Sequence, residues 1–89
     1  PLTGVRVLLV DDNHINQQVG ARLIETAGMT ADVAASGRSA LRMLAERNYA
    51  AVLMDCSMPE MDGYETTAAI RAAEGATGQH IPIIALTAD

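Results

Sequence analysis

Apolar and polar positions along the chain follow two patterns, one typical of buried strands and the other typical of helices. Four short apolar segments are predicted to be strands, at 5–10, 30–35, 50–54 and 81–86. The first is rich in Val and apolar on both faces, as expected for a strand inside a parallel sheet. The second is less apolar and predicts a weaker strand.

The segment after the first strand has the pattern of a helix with a recognisable start and stop. Asn13 is a candidate N-cap, because its side chain can accept a hydrogen bond from the first free backbone N–H groups. Ile15, Val19 and Leu23 recur at four-residue spacing, and Gly28 supplies a stop signal.

Two further helices are predicted between the later strands. Ser36 is a candidate N-cap for a helix that ends near Asn48. Asp62, followed three residues later by Glu65, resembles a capping box for a helix that runs to about Ala73. The resulting order, βαβαβαβ, predicts one α/β domain over 1–89, with a parallel sheet, right-handed crossovers and helices on both faces.

The amino-acid composition of the chain argues against several classes of function. The 89 residues carry 6 basic and 11 acidic side chains and a formal charge of −5, which argues against a nucleic-acid surface. No apolar run approaches the roughly 18 residues of a membrane span, so we expect no membrane contact by this segment. The one cysteine, Cys56, excludes an internal disulfide and fits the cytoplasm, although a longer parent chain could be membrane-anchored.

Polar side chains stand where three of the predicted strands end. Asp11 and Asp12 follow the first strand, Asp55 follows the third and Thr87 follows the fourth. The carboxyl ends of parallel strands share one edge, where ligands of open α/β sheets bind. Converging carboxylates need a compensating cation, and oxygen ligands of this kind suit Mg²⁺. A carboxylate in such a site can also be a nucleophile towards phosphorus.

Other interpretations of the same residues stay open at this point. Asp11 and Asp12 are also typical of strand-to-helix turns. A phosphatase with an aspartate nucleophile would usually carry a second Asp two residues later, where this chain has Ser57. A flavin site would want a phosphate loop rich in Gly, Ser and Thr after the first strand, whereas this chain has the acidic DDNHIN.

Three segments together resemble a known family. VLLVDDNHINQ, VLMDCSMPEMDGYE and PIIALTAD look like the receiver domain of two-component response regulators, and the forms DDNHINQ and DCSMPEMDGYE most resemble receivers of hybrid sensor histidine kinases. The resemblance covers essentially all 89 residues. It implies a flavodoxin-like, doubly wound parallel sheet of order 2-1-3-4.

The resemblance also implies roles for individual residues. Asp55 would be the phosphoacceptor, and the donor would be the phosphohistidine of a histidine kinase or a histidine phosphotransfer domain. Mg²⁺ would be held by Asp12, Asp55 and the backbone carbonyl of Ser57, with Asp11 acting indirectly.

Four further positions match the family's motifs around the acceptor. Thr87 would bind a phosphoryl oxygen and move on activation, and the small side chain of Ala88 would leave the site open. Pro59 and Gly63 would shape the loop beside Asp55.

One departure from the family concerns its lysine at the end of a fifth strand. This sequence contains no Lys and stops after the fourth predicted strand, so we expect a receiver that is truncated at its C-terminus. The edge of strand four would then be exposed, which invites self-association. Alternatives to a hybrid-kinase parent are a free-standing response regulator and a pseudo-receiver that binds partners without phosphorylation.

Overall fold

The computed structural model describes residues 4–55, 63–75 and 77–86. Four strands and three helices alternate along these residues. Their order is β1 (Arg6–Val10), α1 (His14–Thr26), β2 (Thr30–Ala34), α2 (Gly37–Glu46), β3 (Ala51–Asp55), α3 (Gly63–Glu74) and β4 (Ile83–Leu86).

The four strands form one parallel sheet of order β2-β1-β3-β4. The register pairs Leu9 with Leu53 and Val10 with Met54 between the two central strands. Asp55 in turn lies opposite Leu86 of β4. The predicted α/β class and the strand order 2-1-3-4 are therefore confirmed.

Element boundaries differ from the predicted ones by two residues or fewer, and the largest shift at a strand has a clear cause. β4 begins at Ile83, not at position 81. The N–H of Ile81 is already bonded to the side chain of Glu74, and Pro82 has no N–H to donate. The carbonyl of Pro82 still accepts a hydrogen bond from Val52 at 2.9 Å, so the chain is aligned with β3 before the strand starts.

The central strand β1 is buried on both faces, as its sequence predicts. Leu8 and Val10 face a core shared with α2 and α3, and both are fully buried. Val7 and Leu9 face a second, smaller core that also contains Ile24 of α1. Alternate residues of the same strand thus serve the two layers of helices.

The two predicted N-caps that can be examined are both present. Asn13 Oδ1 accepts a hydrogen bond from the N–H of Asn16 at 3.0 Å, and Ser36 Oγ accepts one from Ser39 at 3.1 Å. Gly28, just beyond α1, has a φ of +93°, which favours glycine. The predicted capping residue Asp62 lies outside the described residues.

The buried face of α1 is not the apolar stripe by which the helix was predicted. Ile15, Val19 and Leu23 are 69%, 55% and 67% exposed. The side towards the sheet is instead formed by Gly20, which lies against the Leu9 side chain, and by the buried Ile24. The missing side chain of Gly20 allows the helix backbone to approach the sheet closely.

β4 lies at one edge of the described sheet, and three of its four residues are exposed. Its large apolar side chains Ile84 and Leu86 are 53% and 41% exposed. Self-association through this edge stays a prediction. Within the described ranges, none of the helices combines the length and the apolar character needed to cross a membrane.

Candidate metal centre

The sheet register brings two acidic residues from distant parts of the chain to the same edge. Val10 and Met54 are partners across β1 and β3, so the next residues along the two strands, Asp11 and Asp55, are neighbours at the carboxyl end of the sheet. Asp12 follows immediately at the start of the turn into α1. The convergence that was expected from the strand ends is therefore present for these three acids.

The three carboxylates are close enough to share one cation. One oxygen from each of Asp11, Asp12 and Asp55 can be chosen so that all lie within 4.8 Å of one another. Ligands on opposite sides of an octahedral Mg²⁺ are about 4.2 Å apart, twice the usual bond length of about 2.1 Å. Only a small contraction is needed, and hard carboxylate oxygens are the ligands that Mg²⁺ prefers, so the donor set fits this ion.

The three acids differ in exposure, and this gives them different electrostatic surroundings. Asp11 is buried, Asp55 is half-buried and Asp12 is exposed. Burial raises the pKa of Asp11 above its ordinary value of 3.8, and the charges of Asp55 and Asp12 and a hydrogen bond with Asp55 raise it further. The N–H of Asn13 acts in the opposite direction by donating to the Asp11 carboxylate. A cation at the centre would offset the repulsion from Asp55 and Asp12, which adds to the effect of burial on this pKa.

Several hydrogen bonds fix the backbone of Asp11 at the end of β1. Its N–H donates to the carbonyl of Ala34 in β2 at 3.0 Å. Its carboxylate accepts the N–H of Asn13 at 2.9 Å, which closes a short turn. Its carbonyl accepts a 2.7 Å hydrogen bond from Nε2 of Gln17, a residue to which the sequence analysis gave no role. A glutamine six residues after an acid carries no local signal of this contact.

The remaining predicted site residues fall mostly outside the described part of the chain. Ser57, Pro59, Thr87 and Ala88 are not among the described residues, so their predicted roles stay predictions. Gly63 is described, and it is buried as the first residue of α3.

A parallel sheet of order 2-1-3-4 with three carboxylates gathered at the carboxyl ends of β1 and β3 is the arrangement of a receiver domain. The family model for the response regulator receiver domain matches residues 7–89. The chain belongs to this family, which confirms the resemblance found in the sequence.

Curated relatives and solved structures agree with this assignment. The hybrid signal transduction histidine kinase B of Dictyostelium discoideum is 39% identical over an alignment of 93 positions. This alignment covers 94% of this chain and 5% of that protein. The chain spans between 5% and 11% of the length of this relative, of the hybrid signal transduction protein dokA of the same organism and of a probable histidine kinase of Oryza sativa.

Two solved structures are similar along nearly the whole chain. The receiver domain of the histidine kinase CKI1 from Arabidopsis thaliana, complexed with Mg²⁺ and BeF₃⁻, is 37% identical with a TM-score of 0.91, covering 99% of this chain and 68% of that one. The chemotaxis protein CheY4 of Vibrio cholerae is 30% identical with a TM-score of 0.87, covering 96% of this chain and 69% of that one.

Proposed function

We propose that this receiver accepts a phosphoryl group from a phosphohistidine onto the carboxylate of Asp55, in the presence of Mg²⁺. The observation that carries the proposal is the gathering of the Asp11, Asp12 and Asp55 oxygens within 4.8 Å at the carboxyl edge of the sheet. Such a cluster is electrostatically costly without a cation, and with one it attracts an anionic phosphoryl group. Asp55 is half-buried, so it can be reached from solvent.

Mg²⁺ would be held by Asp12, Asp55 and the carbonyl of Ser57, with Asp11 acting through water. The charge it supplies would offset the repulsion between the Asp55 carboxylate and the phosphoryl oxygens. The solved receiver domain of CKI1 is complexed with Mg²⁺, which supports this choice of ion.

The transfer itself is an in-line displacement at phosphorus. An oxygen of Asp55 forms the new bond to phosphorus as the bond between phosphorus and the imidazole nitrogen of the donor breaks. The electron pair of that bond returns to the imidazole, and the product is an aspartyl phosphate. Thr87 would then bind a phosphoryl oxygen, and the neighbouring surface would repack, so that partners distinguish the two states.

The parent that we propose is a hybrid histidine kinase, because the curated relatives of this chain include a hybrid signal transduction histidine kinase at 39% identity and a hybrid signal transduction protein at 42% identity. The phosphoryl donor would be the kinase core or a histidine phosphotransfer domain. A free-standing regulator would use the same site and the same chemistry, so the sequences on either side of this chain distinguish the two parents.

Labelling with a small acyl phosphate tests the acceptor directly. Acetyl phosphate with Mg²⁺ is expected to add one phosphoryl group per molecule, detected by intact mass, and the label should be absent when Mg²⁺ is chelated. Asp55→Asn should remove the label, whereas Glu46→Gln, an exposed carboxylate of α2, should keep it. Equal labelling of the Asp55→Asn protein would refute the assignment of Asp55.

A further inference from the structure

Gln17 makes a contact that reaches back from α1 to the end of β1. Its side-chain Nε2 donates a 2.7 Å hydrogen bond to the backbone carbonyl of Asp11. Gln17 is half-buried, whereas the next residue, Gln18, is exposed and its amide contacts the ring of His14. The two neighbouring glutamines therefore have different surroundings and different partners.

The carbonyl that Gln17 holds belongs to the peptide bond that joins Asp11 to Asp12. Because a peptide unit is planar, holding this carbonyl fixes the plane that connects the Cα atoms of both acids. The N–H of Asp11 is held separately by the carbonyl of Ala34, and its carboxylate accepts the N–H of Asn13. Gln17 thus supplies the hydrogen bond that fixes the peptide on the Asp12 side.

The direction in which the Asp12 side chain leaves the backbone depends on this peptide plane. It is exposed, whereas Asp11 is buried at the sheet edge, so packing constrains the Asp12 side chain much less. The direction of its Cα–Cβ bond follows from the backbone between the end of β1 and the first turn of α1. A small rotation of that backbone would move the Asp12 carboxylate away from the oxygens of Asp11 and Asp55.

We infer that Gln17 is a positioning residue of the acidic cluster: its amide fixes the peptide between Asp11 and Asp12 and so preorganises the carboxylates for a divalent cation. This inference rests on the proposed function, since it assigns Gln17 a role in the same site. Residues that orient metal ligands through hydrogen bonds typically change metal affinity by about 10- to 100-fold when they are removed.

The test compares Mg²⁺ affinity in matched variants, measured by calorimetry at a temperature where circular dichroism shows each to be fully folded. Gln17→Met keeps the length of the side chain but has no donor, and it should weaken Mg²⁺ binding about tenfold. Gln18→Met makes the same change one position later and should stay within about twofold of wild type. Gln17→Arg restores an N–H donor and should bind Mg²⁺ more tightly than Gln17→Met, although its charge opposes the cation.

The outcomes distinguish the role of Gln17 from the proposed function on which it rests. Wild-type affinity in Gln17→Met, an equal loss in Gln18→Met, or a Gln17→Arg variant as weak as Gln17→Met would overturn the role of Gln17. A purely structural role would lower the thermal stability of Gln17→Met and leave the Mg²⁺ affinity of the folded protein unchanged. Failure of the wild-type protein to bind Mg²⁺ would refute the proposed function, and with it the role of Gln17.

Discussion

The phenol of Tyr49 donates a 2.8 Å hydrogen bond to Oδ2 of Asp32, which lies 17 residues earlier in β2. The other oxygen of the same carboxylate accepts a 2.8 Å hydrogen bond from Arg6 at the start of β1. Asp32 therefore joins the edge strand β2 both to β1 and to the segment that leads into β3. These contacts lie towards the amino end of β1, whereas the acidic cluster lies at its carboxyl end.

Tyr49→Phe is expected to lower the free energy of unfolding by about 1 to 2 kcal/mol, because it removes a hydrogen bond to a charged group. Burial and the hydrogen bond to Asp32 raise the pKa of Tyr49 to about 12. Since the native state favours the neutral phenol, its stabilisation is complete below the ordinary value of 10 and is lost as pH rises through about 12. Denaturant unfolding at neutral and alkaline pH measures both effects.

Tyr64→Phe is the matched control, because Tyr64 is the second tyrosine in the sequence and its side chain is 68% exposed. A tyrosinate absorbance titration should keep its component near pH 12 in Tyr64→Phe and lose it in Tyr49→Phe. Loss of the component near pH 12 from Tyr64→Phe would show that its assignment to Tyr49 is wrong.

Mg²⁺ affinity should begin to fall on acidification at a pH above 3.8, the ordinary pKa of an aspartate. Burial, together with the charges of Asp55 and Asp12, raises the pKa of Asp11, so protons compete with the ion early. Below that raised pKa the affinity should fall by up to about tenfold per pH unit, as for one displaced proton. Asp11→Asn should bind Mg²⁺ more weakly and lose most of this pH dependence, and calorimetry over a pH series measures both.

The raised pKa of Asp11 also determines how the stability of the metal-free protein depends on pH. A raised pKa means that native Asp11 binds a proton more readily than the unfolded chain does. Its contribution to stability is therefore full below 3.8 and is lost as pH rises through the raised value. Excess Mg²⁺ should stabilise the protein most at neutral pH. A larger Mg²⁺ effect at acidic pH would contradict the assignment.

Gly20→Ala is expected to destabilise the protein by about 1 kcal/mol, although alanine favours helices. A Cβ at this position would lie 2.7 Å from Cδ2 of Leu9, which is 2% exposed and belongs to the core. An overpacking cost near the middle of the usual range of about 1 to 3 kcal/mol outweighs the gain of about 1 kcal/mol in helix propensity. Chemical denaturation measures the difference.

Removing the clash with Leu9 should reverse the sign of the stability change caused by Gly20→Ala. In a Leu9→Ala background the methyl group of Gly20→Ala has space, so the same substitution should stabilise the protein by about 1 kcal/mol. A double-mutant cycle gives the coupling between the two positions. Additive effects of the two changes would show that Gly20 and Leu9 are not in tight contact.

Glu74→Gln should lower stability at neutral pH and make little difference well below pH 4.5. The Glu74 carboxylate accepts the N–H of Ile81 at 2.5 Å and Nη1 of Arg71 at 2.7 Å, so it joins the end of α3 to the approach to β4. These contacts lower the pKa of Glu74 below 4.5. Its stabilisation is therefore present above 4.5 and is lost as pH falls through the lowered value.

The urea midpoint as a function of pH measures this effect. Glu46→Gln is the control, because Glu46 is exposed at the end of α2. It should retain the wild-type acid dependence, whereas Glu74→Gln should flatten it. An identical acid dependence in the Glu74→Gln protein would show that this carboxylate does not stabilise the fold.

Thr66→Val is expected to raise the free energy of unfolding by about 1 kcal/mol. The Oγ1 atom of Thr66 is fully buried in α3 and finds no hydrogen-bond partner among the residues that the structure describes. Valine has nearly the same shape and removes the cost of burying a polar group. Thr67→Val, at the half-buried neighbouring position, is the control. A loss of stability in Thr66→Val would mean that the hydroxyl does have a partner.

Features that depend on neighbours in the chain were determined by the sequence alone. Alternating apolar runs and helical patterns predicted every strand and helix that the structure describes, to within two residues. The caps at Asn13 and Ser36 were predictable because each side chain binds a backbone N–H only three residues away. The acidic character of the strand ends was also visible at Asp11, Asp12 and Asp55.

Features that depend on packing between distant segments were decided by the tertiary structure. The strand order, which the sequence supplied only through family resemblance, makes β1 and β3 neighbours and so places Asp55 beside Asp11. The buried face of α1 follows from the fit of Gly20 against Leu9, not from the apolar stripe that marked the helix. The hydrogen bond from Gln17 to Asp11 depends on where α1 lies relative to the end of β1, which no local pattern encodes.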